Sequence, residues 1–393
     1  MSALTVTAAT PPEQFRAEIR AWLEEQLSGS FAEVRRGAPG YQDVDLRKAW
    51  ERHMGAERLA CLAWPEEYGG RAATLQQRIA FAEEYVAAGG PHRVNHIAAE
   101  LAGPTILICG RPDQKERFLL PIARGEELWC QGFSEPAHGS GLASVQTRAH
   151  LEQGPDGERW VITGQKVWTS YAYLADWIFA MCRTEPGSKG AGGLSMLLIP
   201  MHQPGVTVRP LRQISGESHF CEVFFDGAVT AAENVLGGVG GGWRAAMATL
   251  GIERGVSTMG QVAAYRHEFD LLRQIAVENG AIADPLVRDR MAALHVRLLV
   301  FRGNTLRIIA GSDKPPTLES YVSKLFYADW HQDFGELAMD VLGPLAEDGK
   351  GDWRVAALRQ AFFYSRADSI YAGTHQIQRN IIGERGLGLP KER

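Results

Sequence analysis

The sequence predicts an α+β chain in three successive parts. These are an N-terminal helical domain (1–126), a central antiparallel β-barrel or sandwich (127–236) and a C-terminal four-helix bundle (237–393). Three observations predict it. Apolar residues recur at helical spacing up to about residue 125. Seven short runs rich in β-branched and aromatic residues follow, with turn clusters but no helices between them, which argues against a βαβ sheet. Beyond Trp243 the helical period returns in long stretches. The length, 393 residues, is also too great for one ordinary core.

In chain order, Thr10-Pro-Pro-Glu13 reads as a capping box, and Phe15, Ile19, Trp22, Leu23 and Leu27 give the first helix its apolar face. A second helix is expected over Thr74–Val86. A third begins at Asp113-Gln-Lys-Glu116 and stops at Arg124-Gly125. Strands are expected at Leu128–Phe133, Val145–Leu151, Trp160–Gly164, Trp177–Arg183, Leu194–Pro200, Val206–Pro210 and Phe220–Phe225. Turns such as Gly154-Pro-Asp-Gly157 and Glu185-Pro-Gly187 separate them. Gly237-Gly-Val-Gly-Gly-Gly-Trp243 fits neither phosphate-loop pattern and reads as a hinge. Long helices are then expected from Trp243 to about Glu278, from the Asp284-Pro285 cap to about Ala310, over 317–342 and over 353–369, with a short one near 375–385.

The bulk numbers narrow the function classes. A net charge of −5 leaves no footprint for nucleic acid or an anionic membrane. No apolar run reaches membrane-spanning length, and the N-terminus has no signal-peptide pattern. The five cysteines form no Cys-x-x-Cys, which points to free thiols, no zinc module and a cytoplasmic location. His92 and His96, four apart, could share a helix face, but no further metal ligand accompanies them.

The chain is organised around residues 129–144. An apolar strand opens there into a loop of small residues, Ser134, Pro136, Gly139, Ser140 and Gly141, which would let a large planar ligand approach the backbone. Taken alone, the stretch reads better as a turn beside a core strand. Two others converge on it. Gly164-Gln-Lys-Val-Trp-Thr-Ser-Tyr171 brings an indole and two hydroxyls to a strand end, and a helix starts at Thr374.

Together the motifs resemble the acyl-CoA dehydrogenase family. They are Cys130-Gln-Gly-Phe-Ser-Glu-Pro136 with Gly139-Ser140, Gln165-Lys-Val-Trp-Thr-Ser170, Gly216-Glu-Ser-His-Phe-Cys-Glu-Val-Phe-Phe-Asp226, Gly241-Gly-Trp243, Gly251-Ile-Glu-Arg-Gly255 and Tyr371-x-Gly-Thr374. The resemblance covers nearly the whole chain. It implies FAD-dependent α,β-dehydrogenation of an acyl-CoA thioester to the trans-2-enoyl-CoA. Gln131, Phe133 and Ser134 would meet the pyrimidine edge of the flavin. Trp168 would cover a ring face, with Thr169 and Ser170 near N5, and Thr374 and Gln376 would reach the cofactor from the last helix. Ser140 would meet the pantetheine or phosphate part of the substrate. Many members carry the catalytic base just before the Gly-Thr pair, where this chain has Ala372. The backbone at Ala372 and Gly373 could still polarise the thioester carbonyl. Another subset carries the base on the first bundle helix, which matches Glu253 here, with Arg254 beside it to pair with the ligand or steady the carboxylate.

The chain also departs from the family. Gly141 replaces a usual Asp. No Arg-x-x-Phe-Gly follows the first bundle helix, where residues 273–280 read Arg-Gln-Ile-Ala-Val-Glu-Asn-Gly. No Gln-x-x-Gly-Gly stands near 340, where the text is Asp340-Val-Leu-Gly-Pro344. In homotetrameric members those motifs hold a neighbour's FAD. Their absence points to a hetero-oligomer, similar to the bacterial α2β2 enzymes of sterol side-chain degradation, with electron-transferring flavoprotein as the implied acceptor. Three other readings stay open: a non-catalytic or half-site subunit, a flavin oxidase or monooxygenase on the same fold, and a nucleic-acid-binding relative, which the acidic balance opposes.

Overall fold

The structure, a computed structural model, describes residues 4–155, 157–253, 257–311, 318–348 and 351–391. Its helices, numbered along the chain, begin with α1 (Pro12–Ser28), α2 (Val44–Ala56), α3 (Leu75–Ala87), α4 (Gly103–Cys109) and α5 (Pro112–Ala123). The strands follow: β1 (Trp129–Gly132), β2 (Arg148–Gly154), β3 (Gly157–Ser170), β4 (Trp177–Arg183), β5 (Leu194–Pro200), β6 (Val206–Leu211), β7 (Phe220–Ala231) and β8 (Val235–Leu236). Then come α6 (Gly242–Glu253), α7 (Ser257–Glu278), α8 (Pro285–Ala310), α9 (Leu318–Leu342), α10 (Leu345–Asp348), α11 (Trp353–Asp368) and α12 (His375–Ile381). The expected order of helices, sheet and helices is present. By mutual contact the chain divides into two compact units. One is Met1–Glu18, Glu25–Arg78 and Pro91–Glu253; the other is Ile19–Glu24, Ile79–Gly90 and Arg254–Arg393.

In the first unit the sheet runs β6-β7-β3-β2-β4-β5-β8, with β1 paired to β4. It is mixed, not purely antiparallel as the short runs suggested, because β1 lies parallel to β4. The β2–β3 hairpin intervenes between those two strands and supplies the long connection that a parallel pair needs. Strands β4 and β5 are buried along nearly their whole length, and their side chains alternate between two cores. Ile178, Ala180, Cys182, Leu197 and Ile199 join Trp160, Val223 and Phe225 on one face. Phe179, Met181, Met196 and Leu198 face the other way, onto Trp64 of the loop after α2, Phe118 and Ile122 of α5 and Ala245 and Ala246 of α6. The five cysteines are free, and four of them are buried; burial pushes the Cys182 thiol up to about 12.

The glycine run before α6 is tied down. Gly240 donates its amide to Ser195 Oγ at 2.9 Å, and a Cβ on Gly242 would lie 2.6 Å from the backbone of Ser195. The capping box at α1 does not form. Thr10 Oγ1 accepts from Thr7 N instead, and Pro11 precedes the helix without a side-chain cap. His92 and His96 share no helix face, since His92 lies in the loop before the turn in which His96 starts a helix.

The second unit holds the four-helix bundle. Phe269, Leu272, Leu294, Phe301, Trp330, Phe334 and Leu358 of α7, α8, α9 and α11 form its core. Trp330 Nε1 donates to the Leu294 carbonyl at 2.8 Å, which removes the cost of burying the indole N–H. Asp284 caps α8 as expected, accepting from Leu286 N. Arg20 and Glu84 join the α1 and α3 segments of this unit through two hydrogen bonds. Among the described residues no helix is long and apolar enough to cross a membrane.

Candidate active site

The first unit carries one group of the candidate residues. Strand β1 ends at Gly132, and the Phe133 ring is core, edge-on to Phe179 at 5.6 Å, so only its backbone is left for a ligand. Gln131 and Ser134 are half-buried. The Ser134 carbonyl accepts from Val167 N at 3.0 Å, which laces the loop to β3.

Beneath that lacing lies a buried ion pair. Lys166 is fully buried, and its Nζ donates to Glu135 Oε1 at 2.8 Å and to the Met181 carbonyl at 2.6 Å. The Glu135 carboxylate also accepts from the amides of Gln146 and Thr147 at 2.6 and 2.8 Å. Burial works to raise the Glu135 pKa, but the Lys166 charge and these hydrogen bonds outweigh it and hold it low. Both residues stood inside motifs quoted above. Their pairing across 31 positions has no sequence signal, and neither was foreseen as functional.

The register of β3 against β7 breaks between Lys166 and Thr169. Trp168 sits in that bulge with φ +59° and its indole 59% exposed, 6.1 Å from Phe220. A bulge of this kind re-aims a side chain out of the pleat. Thr169 is fully buried, yet its hydroxyl has no hydrogen-bond partner among the described residues. Ser170, half-buried, closes the strand opposite Phe220. Ser140 is exposed on the loop. Glu253 is the final residue of α6, and nothing of its side chain is described; Arg254 lies outside the described residues.

The second unit carries the other group. Ala372 has φ +49° and Gly373 φ +96°, and a Cβ on Gly373 would lie 2.5 Å from Gln378 Nε2, so the glycine is required there. Gln378 Nε2 donates to the Ala372 carbonyl at 3.2 Å. Thr374 caps α12, its hydroxyl accepting from Ile377 N at 3.2 Å, which leaves its own hydrogen free to donate. Gln376 is exposed.

A buried network holds this segment from behind. Tyr371 donates its hydroxyl to Asp368 Oδ1 at 2.6 Å, Lys324 Nζ donates to the Asp368 carbonyl, and His331 Nδ1 donates to Asp368 Oδ2 at 2.5 Å. Glu268 lies 3.2 Å from the other His331 nitrogen. Burial alone would lower the His331 pKa. The Glu268 charge and the bond to Asp368 outweigh it and push it up to about 9. Lys324, His331 and Asp368 stood out in no sequence pattern.

Among the described residues the buried Thr169 hydroxyl lacks a partner beside a largely exposed indole, and such a group calls for a partner that the fold itself does not supply. The donors available, namely the Thr169 hydroxyl and loop amides made accessible by small residues, fit the carbonyl-and-nitrogen edge of a flavin.

Family models for the acyl-CoA dehydrogenase N-terminal, middle and C-terminal domains match residues 11–126, 130–228 and 240–387. The chain belongs to the acyl-CoA dehydrogenase family. It is 48% identical to the acyl-CoA dehydrogenase IpdE1 of Mycobacterium tuberculosis, over 97% of this chain and 98% of that one. Among solved structures, the ChsE4–ChsE5 complex from Mycobacterium tuberculosis superposes with a TM-score of 0.82 at 24% identity, covering 99% of this chain and 100% of that one. The Tcur3481–Tcur3483 steroid acyl-CoA dehydrogenase also gives 0.82 at 24% identity, covering 98% and 100%. Family members are flavoproteins and oxidoreductases.

Proposed function

We propose that this chain binds FAD and catalyses α,β-dehydrogenation of an acyl-CoA thioester, with Glu253 as the base. The observation that carries the reading is the buried, unpartnered Thr169 hydroxyl beside the exposed Trp168 on the bulged end of β3. FAD, when bound, supplies the acceptor for the hydride that leaves the β-carbon. Trp168, Thr169 and Ser170, with the backbone at Phe133 and Ser134 and the side chain of Gln131, would hold the ring; Thr374 and Gln376 would hold the rest of the cofactor. The Ala372 and Gly373 backbone would polarise the thioester carbonyl, which acidifies the α-proton. Ser140 and Arg254 would meet the CoA and acyl parts of the substrate. Glu253 would take the α-proton, since Ala372 offers only a methyl. Room on that helix supports this, because among the described residues a Cβ at Gly251 would meet nothing within 4 Å.

We further propose division into domains at 1–126, 127–236 and 237–393, a cytoplasmic location, electron-transferring flavoprotein as acceptor, and assembly with a related subunit. The assembly reading rests on the missing Arg-x-x-Phe-Gly and Gln-x-x-Gly-Gly motifs, and the names of two structural neighbours, each a pair of subunits, accord with it. The steroid acyl-CoA dehydrogenase among the structural neighbours makes bulky, steroid-derived acyl groups the first substrates to try.

The test is anaerobic titration of the purified protein with a panel of acyl-CoAs while flavin absorbance is followed. Glu253→Gln should retain flavin and lose about two to four decades of bleaching rate, the usual contribution of a general base. Wild-type bleaching by Glu253→Gln would remove Glu253 from the role. Ala372 and the missing nucleotide motifs favour one other reading, a half-site subunit; a protein that takes up no flavin even when co-expressed with a related subunit would establish it.

A further inference from the structure

Tyr171 follows Ser170 directly, at the end of the strand that carries Trp168. Its φ is +53°, and its amide donates to the His219 carbonyl at 2.8 Å. Its ring lies 5.3 Å from His219 and edge-on to His96 at 5.7 Å, with the Arg47 guanidinium 6.0 Å above it. Arg47 comes from α2 and is 5% exposed. Its Nε and Nη2 both donate to the His92 carbonyl, at 3.0 and 2.7 Å. The Tyr41 ring stands 6.3 Å from that of His92. All of these residues belong to the first unit.

The chemistry of this cluster is unfinished. A carbonyl oxygen satisfies two Arg47 donors but does not neutralise the charge, and among the described residues Arg47 makes no ion pair. Glu217 lies 2.9 Å from His219, and among the described residues it makes no ion pair with Arg47. A buried cation without a counter-charge is costly unless a ligand supplies one. Hydrogen-bonding capacity stands around it. Burial holds the Tyr41 hydroxyl above its usual range, so it keeps a proton to donate. His96 uses Nδ1 on the Arg93 carbonyl, which leaves Nε2 open.

We infer that this cluster receives the far end of the acyl group, and that the acyl groups it takes carry an oxygen acceptor, a carboxylate or a ketone, remote from the thioester. The inference rests on the dehydrogenase reading and adds the class of acyl group. A plain alkyl end would desolvate Arg47 and Tyr41 and return no partner to either, so the site discriminates against hydrocarbon. The buried charge places carboxylate ahead of ketone.

The test uses the full chain purified with the flavin it carries, and three CoA thioesters of equal chain length. One is the monothioester of a dicarboxylic acid, one bears a ketone near its far end, and one is plain. Binding is read by titration calorimetry and flavin bleaching in a parallel anaerobic run. The oxygenated thioesters should bind at least about tenfold tighter than the plain one, the scale of one charge-assisted hydrogen bond. Arg47→Met should bring the three close to parity. Because Arg47 also supports the backbone at His92, Tyr41→Phe and His96→Phe test the site separately; each should reduce the advantage of the oxygenated thioesters and leave affinity for the plain one unchanged. Equal binding of all three by the wild type, or an advantage that survives all three substitutions, overturns the inference. An advantage without bleaching sustains this site and sinks the dehydrogenase reading; bleaching without an advantage does the reverse.

Discussion

Thr169 is the residue on which the proposed function turns. Its hydroxyl is fully buried and unpartnered, which costs stability for as long as it stays so. Valine has nearly the same shape and no hydroxyl. Thr169→Val should therefore leave the flavin-free protein as stable as the wild type, or more stable by about 1 kcal/mol, while flavin content on purification falls. Denaturant unfolding of the stripped protein, beside absorbance of the purified one, measures both. A variant that is less stable when stripped yet fully yellow would show that the hydroxyl serves the sheet and not a ligand. Individual residues were legible to different degrees. Trp168, Thr169 and Ser170 could be singled out because they sit in a contiguous motif. Lys166 and Glu135 lie within such motifs too, but what makes them important is a bond between distant positions, which no local pattern encodes.

Among the elements, α2 and β3 mark where local reading failed. The buried face of α2 carries Arg47 and Glu51 beside Trp50 and Met54, so its apolar period is interrupted by charge. Glu51 is answered by Arg93 at 2.7 Å, a partner that only the fold supplies. Strand β3 was read as ending at Gly164. That glycine has φ +153°, and a Cβ there would come within 2.6 Å of Thr147, so it marks close approach of a neighbouring strand and not the end of pairing. Helices α8, α9 and α11 were legible almost to the residue, because long amphipathic runs carry a strong period, whereas the single run expected from Trp243 to Glu278 is described as two helices, α6 and α7.

The polar seam joining α7, α9 and α11 gives a pH signature. His331 is held at about 9 in the folded chain, against roughly 6.5 when unfolded. A raised folded-state pKa contributes stability that is complete below the unfolded value and is lost as pH rises through the folded one. Unfolding midpoints of the wild type should therefore decline between about pH 6.5 and 9, and His331→Gln should flatten that slope. An unchanged slope in the variant would mean that His331 is neutral in the native bundle.

For the whole molecule, the question is whether one kind of chain suffices. Sequence read the order of helices, sheet and helices correctly, because each change of period is strong, whereas the parallel β1–β4 pairing depends on long-range contacts. The absent nucleotide-binding motifs predict that the chain expressed alone elutes without stoichiometric FAD, and that co-expression with a related subunit yields a yellow assembly containing both. Size-exclusion chromatography with absorbance detection decides it. A homo-oligomer of this chain alone, saturated with FAD, would contradict the hetero-oligomer.

The left-handed backbone at Trp168 is maintained by bonds internal to the chain on either side, Val167 to Ser134 before it and Tyr171 to His219 after it. An indole presented in this way needs no guest to set its direction. The ordering entropy of that wall falls on folding, so a planar guest meets a rigid template and loses chiefly its own freedom of motion. Removing and restoring such a guest should then be a matter of docking, with the sheet intact throughout.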